Sequence, residues 1–294
     1  NRCEMTIKTV GVAGCGTMGT GIAIVALRAG FETLVYDTNS EAVTNAQRQI
    51  AAFLQKSVAR GKLDADALPK ILENFRGVTK SEAMANCDIV IEAVYEDLGA
   101  KHALLQSLHR VCPPETIFAS NTSTISITEI AGGSGRPDRT VGMHFCLPAQ
   151  LMKLVEMSSG LTTSDDTFIE TWNFCEALGQ EPVKTQDTPG FILNHFVIPF
   201  NNDAIRLVEQ GVADADQIDK AVEVALGYPI GPLKLLDLIG MDTQKLLSEA
   251  MYGLTHESRA ACPALVKRMI AANRLGKKTG DGFHTYGDSK TFGA

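Results

Sequence analysis

The chain of 294 residues is 45% hydrophobic and 21% charged, a balance typical of a globular protein with enough apolar residues for a substantial core. Its formal net charge of −7 argues against broad binding to nucleic acids or to anionic membranes. No apolar run approaches the roughly 18 residues of a transmembrane helix, so we predict one large domain or two ordinary ones without a membrane segment.

Strand-like and helix-like segments alternate over about the first 185 residues. The predicted strands are 7–13, 32–37, 87–93, 116–120 and 140–145, with a further apolar run at 151–157. The predicted helices between them include 17–29, 40–59, 97–111 and 164–178. Strands separated by helices indicate βαβ units, so we predict an α/β domain with a doubly wound, mostly parallel sheet for residues 1–186.

After residue 188 the pattern changes, because apolar residues recur near helical spacing and few β-rich runs intervene. Asp187-Thr188-Pro189-Gly190 is typical of a linker followed by a helix, with Thr188 as a candidate N-cap before Pro189. We therefore place a domain boundary near residue 186 and predict an all-helical domain for 187–294.

The glycine-rich segment TVGVAGCGTMG has the spacing Gly-x-Gly-x-x-Gly between a hydrophobic strand and an apolar helix. In a Rossmann-type turn, Gly14 permits the tight bend, Gly16 lets a pyrophosphate approach, and Gly19 allows close helix–strand packing. The N–H groups and the positive dipole end of the following helix then face the phosphates. The predicted cofactor-binding positions of this turn are Gly14, Gly16, Thr17, Met18 and Gly19.

Asp37 ends the next predicted strand, 21 residues after Gly16, where the ribose-binding acid of such a fold is expected. A carboxylate there accepts hydrogen bonds from the adenosine ribose and repels a 2′-phosphate, which favours NAD over NADP. The alternative is a purely structural glycine turn, with Asp37 capping the helix that follows.

Seven cysteines are scattered along the chain without a Cys-x-x-Cys pair, and no His, Cys and Asp cluster has zinc-ligand spacing. These features favour reduced thiols and predict no metal site. The first residues, NRCEMTIKTV, lack the apolar region of a signal peptide. We therefore expect a cytoplasmic protein, and leave open a matrix-type compartment after removal of a presequence.

Six later blocks occur in a fixed order along the chain. They are SNTS (120–123), HF (144–145), MKLVE (152–156), PGFILN (189–194), GYPIGPLKLLDLIGMDT (227–243) and LGKKTGDGF (275–283). Together with the glycine turn, they resemble the L-3-hydroxyacyl-CoA dehydrogenase family, including its short-chain 3-hydroxybutyryl-CoA dehydrogenases, from about residue 6 to residue 287. The resemblance implies reversible oxidation of a (3S)-3-hydroxyacyl-CoA to the 3-ketoacyl-CoA, with hydride passing to NAD⁺.

The resemblance also implies roles for four polar residues. His144 matches the catalytic histidine, and Glu156 matches its carboxylate partner, while Ser123 and Asn194 match residues that contact the substrate. The chemistry requires such groups, because an imidazole can accept the hydroxyl proton and a carboxylate can fix its tautomer. Hydroxyl and amide groups can orient the reacting oxygen or the thioester carbonyl.

In the cofactor domain, Glu96 and Lys101 match nucleotide-contacting positions of the family, as Asp37 does, and Lys278 matches one in the LGKKTG block. Arg60 and Lys62, at the end of a long predicted helix, are basic side chains of the kind that bind the phosphates of CoA. They do not align cleanly with the family's basic residues, and a solvated helix end is an equal alternative.

Each of these residues also has a structural interpretation. His144 could be a satisfied structural histidine, and Glu156 could face water at a strand end. SNTS could be a cluster of turn and cap residues, and Asn194 an ordinary polar helix position. Glu96 and Lys101 could form a solvated helical pair.

The chain departs from the family pattern at Leu147. The family has His-Phe-Phe-Asn-Pro where this chain has His-Phe-Cys-Leu-Pro, so an apolar side chain replaces an amide able to hydrogen-bond substrate or cofactor. The hydride chemistry does not need that amide directly, so the enzyme class stands. The acyl chain length, the physiological direction and the effect of Leu147 stay open.

Two alternative functions remain at the level of sequence. One is a related dehydrogenase that acts on a free hydroxy acid of the gulonate or carnitine type, and the other is a non-catalytic, crystallin-like NAD-binding protein. The resemblance further implies a homodimer that forms through the C-terminal helical domain.

Overall fold

The computed structural model describes residues 7–286, so residues 1–6 of the N-terminal segment, Cys3 among them, lie outside the described residues. The chain divides after Thr188 into two compact units, Asn1–Thr188 and Pro189–Ala294. Among the described residues, no helix is both long and apolar enough to cross a membrane.

The first unit is built on an eight-stranded sheet with the order β3-β2-β1-β4-β5-β6-β7-β8. Its strands are β1 (Thr9–Ala13), β2 (Glu32–Tyr36), β3 (Phe75–Val78), β4 (Ile89–Glu92), β5 (Ile117–Ser120), β6 (Thr140–Phe145), β7 (Leu154–Ser159) and β8 (Glu181–Thr185). Neighbouring strands run parallel except β6 and β7, which are antiparallel. The predicted doubly wound, mostly parallel sheet is confirmed, and its strand order reverses between β1 and β4, where ligands bind in such sheets.

The described residues of this unit form six α-helices. They are α1 (Thr17–Arg28), α2 (Ser40–Ala59), α3 (Leu68–Glu73), α4 (Leu98–His109), α5 (Ile127–Gly132) and α6 (Asp165–Ala177). Side chains accept backbone N–H groups at several helix starts, as Asn39 does for α2 and Asp97 for α4. Val10, Val12, Ile89 and similar strand residues are fully buried, because helices cover both faces of a parallel sheet.

The sequence analysis did not predict β3 or β8. Both lie at the edges of the sheet, and neither has a buried apolar run. The sequence of β3 is FRGV and that of β8 is EPVKT, with Pro182 inside it. Charged residues and proline are tolerated at sheet edges because part of the backbone there needs no neighbouring strand, so the usual strand signal is weak.

The described part of the second unit is helical, as predicted. Its helices are α7 (Leu193–Glu209), α8 (Ala215–Leu226), α9 (Pro232–Ile239), α10 (Met241–Thr255) and α11 (Ala264–Ala271). The expectation that Thr188 caps the first of them is wrong, because α7 is preceded by Ile192 and has no side-chain cap. Gly190 and Phe191 both have positive φ, +75° and +48°, and this turn delays the start of the helix.

Two of the sequence blocks in the second unit, 227–243 and 275–283, pack against each other around a buried carboxylate. Asp237 accepts backbone N–H bonds from Phe283 and His284, both at 2.8 Å. A Cβ on Gly282 would lie 2.0 Å from the Asp237 carboxylate, and one on Gly276 would lie 2.4 Å from the Asp237 carbonyl oxygen. The glycines of LGKKTGDGF are therefore explained by close packing against α9.

Candidate active site

The glycine turn after β1 requires glycine at two positions. Gly14 has φ +110°, donates its N–H to the carbonyl of Tyr36 at 2.8 Å, and would place a Cβ 2.6 Å from the carbonyl oxygen of Ala93. A Cβ on Gly19 would lie only 1.8 Å from the carbonyl oxygen of Gly14. A side chain at either position would force the turn and α1 away from the sheet.

The middle glycine of the motif lies in a different environment. Gly16 precedes α1 as its N-cap without a side-chain hydrogen bond, and the first turn of the helix holds no acidic residue. Nothing lies within 4 Å of the position of its Cβ, and both Gly16 and Thr17 are exposed, while Met18 is half-buried. An open backbone with uncapped N–H groups at the positive end of a helix suits a diphosphate, so the residues present fit a dinucleotide.

Asp37 follows β2 and is half-buried beside this turn. Its Oδ2 accepts the N–H of Cys15 at 3.0 Å and its Oδ1 accepts the N–H of Asn39 at 2.9 Å. The residue that caps α2 is Asn39, so Asp37 does not cap that helix directly. Burial, and secondarily the charge of Asp37, raise the pKa of Cys15 to about 12, which keeps the thiol in the turn neutral.

His144 and Glu156 are directly paired across β6 and β7. His144 Nδ1 lies 2.8 Å from Glu156 Oε2, and the two side chains are 7% and 1% exposed. The antiparallel pairing explains how residues twelve positions apart meet, since each points to the same face of the sheet. This arrangement agrees with the His–carboxylate pair predicted from sequence and disfavours the alternative that Glu156 faces water.

The other imidazole nitrogen of His144 faces the SNTS segment. Ser123 Oγ lies 3.0 Å from His144 Nε2. Ser123 is in the turn after β5, which pairs with β6, and Asn121 Oδ1 accepts the N–H of Phe145 at 2.9 Å. Because β1, β4, β5 and β6 run parallel, the glycine turn, SNTS and His144 lie along the same edge of the sheet.

Glu96 and Lys101 are part of a hydrogen-bonded network beneath the SNTS turn. Lys101 is 1% exposed, and its Nζ donates to the buried Glu92 carboxylate at 2.8 Å and 3.0 Å. It also lies 3.3 Å from Oε2 of Glu96, whose side chain is 36% exposed. Ser120 Oγ donates to Glu92 Oε1. The pair is therefore not a solvated helical ion pair, and whether either residue also contacts a nucleotide stays a prediction.

The loop that follows β6 contains the residues that differ from the family pattern. Cys146 is buried, and burial, followed by the charge of Glu156, raises the pKa of its thiol to about 11. It therefore remains a neutral thiol and not a nucleophile at physiological pH. Leu147 is 51% exposed, so it presents an apolar surface at the edge that carries His144.

The remaining predicted residues belong to other segments of the chain. Arg60 is the C-cap of α2 and Lys62 follows it, and both are exposed. Asn194 lies in the first turn of α7 and is half-buried. Lys278, in the 3-10 helix Lys277–Thr279 of the second unit, donates to Asp242 Oδ2 at 2.6 Å.

Sequence reasoning missed two residues that hold the site together, Glu92 and Asn121. Glu92 ends the buried strand β4, where an acidic residue after IVI could have indicated a paired or functional carboxylate. Asn121 was noted only as part of SNTS. Within residues 7–286, no group of three His, Cys, Asp or Glu side chains could hold a metal ion.

Comparisons with known proteins agree with this architecture. The sequence model for the 3-hydroxyacyl-CoA dehydrogenase NAD binding domain matches residues 9–188, and that for the C-terminal domain of the same family matches residues 190–286. A probable 3-hydroxybutyryl-CoA dehydrogenase of Bacillus subtilis is 40% identical to this chain, covering 96% of this chain and 98% of that protein.

Two further relatives extend the comparison. The 3-hydroxyadipyl-CoA dehydrogenase of Escherichia coli is 41% identical over 96% of this chain, which corresponds to 60% of that longer protein. The crystal structure of (S)-3-hydroxybutyryl-CoA dehydrogenase PaaH1 from Ralstonia eutropha matches with a TM-score of 0.90 and 35% identity, covering 96% of this chain and all of that one. The chain therefore belongs to the 3-hydroxyacyl-CoA dehydrogenase family and is an NAD-dependent oxidoreductase.

Proposed function

We propose that the protein catalyses the reversible oxidation of a (3S)-3-hydroxyacyl-CoA to the 3-ketoacyl-CoA, with His144 as the general base and acid. The observation that carries this proposal is the chain of contacts Glu156–His144–Ser123, with distances of 2.8 Å and 3.0 Å. These three side chains lie at the same sheet edge as the dinucleotide turn.

The contacts of His144 suit it to proton transfer. With Glu156 accepting from Nδ1–H, the neutral ring holds its proton on Nδ1, and the lone pair of Nε2 can accept a second one. The imidazolium that forms is stabilised by the adjacent carboxylate, and it returns the proton in the reductive direction. Ser123 can donate to the reacting oxygen because its hydroxyl already lies beside Nε2. NAD⁺, when bound, supplies the hydride acceptor.

The glycine turn and Asp37 are proposed to hold the cofactor, through the open N-terminus of α1 and through the ribose hydroxyls respectively. The family resemblance supports further nucleotide contacts by Glu96, Lys101 and Lys278. Asp37 already accepts two backbone N–H groups, and this fixes its carboxylate in place for the ribose.

The acyl-CoA substrate is proposed from the family and from two of the relatives described above, those of Bacillus subtilis and Escherichia coli. Their names specify a four-carbon acyl group in one case and an adipyl group in the other. We propose substrate contact by Asn194 and, for the CoA phosphates, by Arg60 and Lys62, whose exposure leaves their charges available. Because Leu147 departs from the family pattern, the family resemblance specifies the acyl group less closely than it specifies the rest of the substrate.

A homodimer through the second unit and a cytoplasmic location complete the proposal. The second unit supports the dimer by exposing large apolar side chains, which commonly mark interfaces. Those at least half exposed are Phe196, Val212, Val224, Leu226, Leu246 and Leu254.

A panel of substrates tests the activity directly. NADH oxidation is followed with acetoacetyl-CoA, with longer and carboxylated 3-ketoacyl-CoAs, and with free keto acids. Turnover of the CoA thioesters is expected, whereas turnover of free acids alone would contradict the proposal.

A further inference from the structure

The carboxylate of Glu96 organises the turn that presents Ser123. Its Oε1 accepts the N–H of Ser123 at 2.8 Å and that of Thr124 at 2.8 Å. The same oxygen accepts the hydroxyls of Thr122 at 2.7 Å and Thr124 at 3.1 Å. Four donors from three consecutive residues therefore converge on one oxygen atom, and the backbone of Ser123 is fixed by one of them.

The carboxylate of Glu96 is itself held in place. Its second oxygen, Oε2, lies 3.3 Å from the Lys101 ammonium, and that ammonium is anchored by two bonds to the buried Glu92. Burial alone would raise the pKa of Glu96, but the Lys101 charge and the bonds from the turn outweigh it and hold the pKa below its ordinary value. The carboxylate is therefore charged at neutral pH, which is the form that accepts all four bonds.

Ser123 in turn contacts His144 Nε2 at 3.0 Å. The turn has no other carboxylate within hydrogen-bond distance of these N–H groups among the described residues. Removing Glu96 would leave the Ser123 N–H and the Thr124 N–H without their acceptor, so the turn would relax away from this geometry. A displacement of about 1 Å in a catalytic group is enough to lower turnover by about 100-fold.

We propose that Glu96 is a positioning residue, which sets the orientation of the Ser123 hydroxyl toward His144 through the turn at 122–124. The proposal rests on the proposed function, in that Ser123 and His144 are taken to act on the substrate. This role of Glu96 is distinct from nucleotide contact, because the orientation of Ser123 affects the chemical step even when the cofactor site is saturated.

A double-mutant cycle with Ser123 tests this coupling. The variants are Glu96→Ala, Ser123→Ala and the double variant, and kcat is measured with acetoacetyl-CoA at saturating NADH so that weaker cofactor binding does not enter. Each single variant is expected to lose about 10- to 100-fold in kcat, and adding Glu96→Ala to Ser123→Ala should cost less than about 3-fold more. If Glu96→Ala lowers kcat as much in the Ser123→Ala background as in the wild-type background, the proposal is overturned.

Two further variants separate positioning from general damage. Glu96→Gln keeps an oxygen that can accept the N–H groups of Ser123 and Thr124, while its amide N–H2 replaces the oxygen that faces Lys101, so it should recover part of the kcat that Glu96→Ala loses; a loss as deep as that of the alanine variant contradicts the proposal. Glu82→Ala removes an exposed carboxylate of the same unit and should match the wild type in kcat and in thermal unfolding. His144→Ala tests the proposed function separately, because its full activity would refute the base assignment whatever the cycle shows.

Discussion

His144 and Glu156 face each other where β6 and β7 pair antiparallel, with His144 Nδ1 2.8 Å from Glu156 Oε2. Replacing Glu156 with Gln keeps the shape but removes the charge that stabilises the imidazolium. We expect kcat to fall by about 100- to 10,000-fold while the Kd for NADH stays near that of the wild type. Steady-state kinetics and NADH fluorescence titration check this. A kcat within about 3-fold of the wild type would show that the carboxylate only supports the fold.

We expect the choice of cofactor to depend on Asp37. Replacing it with Ser removes the negative charge that repels a 2′-phosphate, so the ratio of kcat/KM for NADH over NADPH should fall at least about 10-fold. Serine keeps a short polar side chain near the N–H of Cys15, which Asp37 Oδ2 accepts at 3.0 Å. A wild-type enzyme that already prefers NADPH would show that the ribose argument is wrong.

Two glycines of the turn, Gly16 and Gly19, give a matched pair of substitutions. Gly16→Ala adds a Cβ to open space at a φ of −73°, so the protein should unfold at nearly the wild-type temperature but bind NADH at least about 10-fold more weakly. Gly19→Ala places a Cβ 1.8 Å from the carbonyl oxygen of Gly14 and should cost about 1–3 kcal/mol or more in the free energy of unfolding. Urea unfolding and NADH titration of both variants distinguish the two roles, and equal stability of the two would contradict the packing argument.

Glu96 should make the free energy of unfolding depend on pH in a defined direction. Its pKa in the folded protein is lowered from 4.5, so the folded state favours the carboxylate. The stability that it contributes is therefore fully present above pH 4.5, and it is lost as the pH falls through the lower folded pKa. The difference in free energy of unfolding between the wild type and Glu96→Gln should be constant from pH 7 to about pH 5 and should narrow below that. A difference that grows as the pH falls would contradict the lowered pKa.

Leu147 should influence which acyl group is accepted. Because its side chain is 51% exposed at the edge that carries His144, substrate contact there would bury apolar surface. Leu147→Asn should change the ratio of kcat/KM between acetoacetyl-CoA and 3-ketoadipyl-CoA by at least about 5-fold in favour of the carboxylated substrate, because an amide can hydrogen-bond a polar acyl group. An unchanged ratio would show that Leu147 does not face the acyl group.

Much of the fold follows from local patterns in the sequence. Apolar residues line the buried faces of the central strands and of the long helices between them. Their spacing along the chain therefore predicts β1, β2, β4, β5, β6 and these helices. The edge strands β3 and β8 are not visible, because edge strands need no continuous apolar run. The delayed start of α7 was also not predictable, because phenylalanine rarely adopts the positive φ that Phe191 has here.

The site was predictable in part for a different reason. The resemblance marked His144 and Glu156, but only the β6–β7 pairing explains why residues twelve positions apart form one unit. The contacts of Glu96 with the turn were not predictable, because its partners at 122–124 follow a different strand and are brought to it by the pairing of β4 with β5. Long-range pairings of this kind leave no periodic signal in a single sequence.

In the proposed mechanism, His144 transfers the proton during NAD-dependent reduction of a 3-ketoacyl-CoA. The most direct measurement is the rate of NADH oxidation with acetoacetyl-CoA for the wild type and for His144→Ala, with NADH affinity measured in parallel. We expect the variant to lose at least about 100-fold in kcat and to bind NADH as the wild type does. Full turnover by His144→Ala, or no turnover of any 3-ketoacyl-CoA by the wild type, would contradict it.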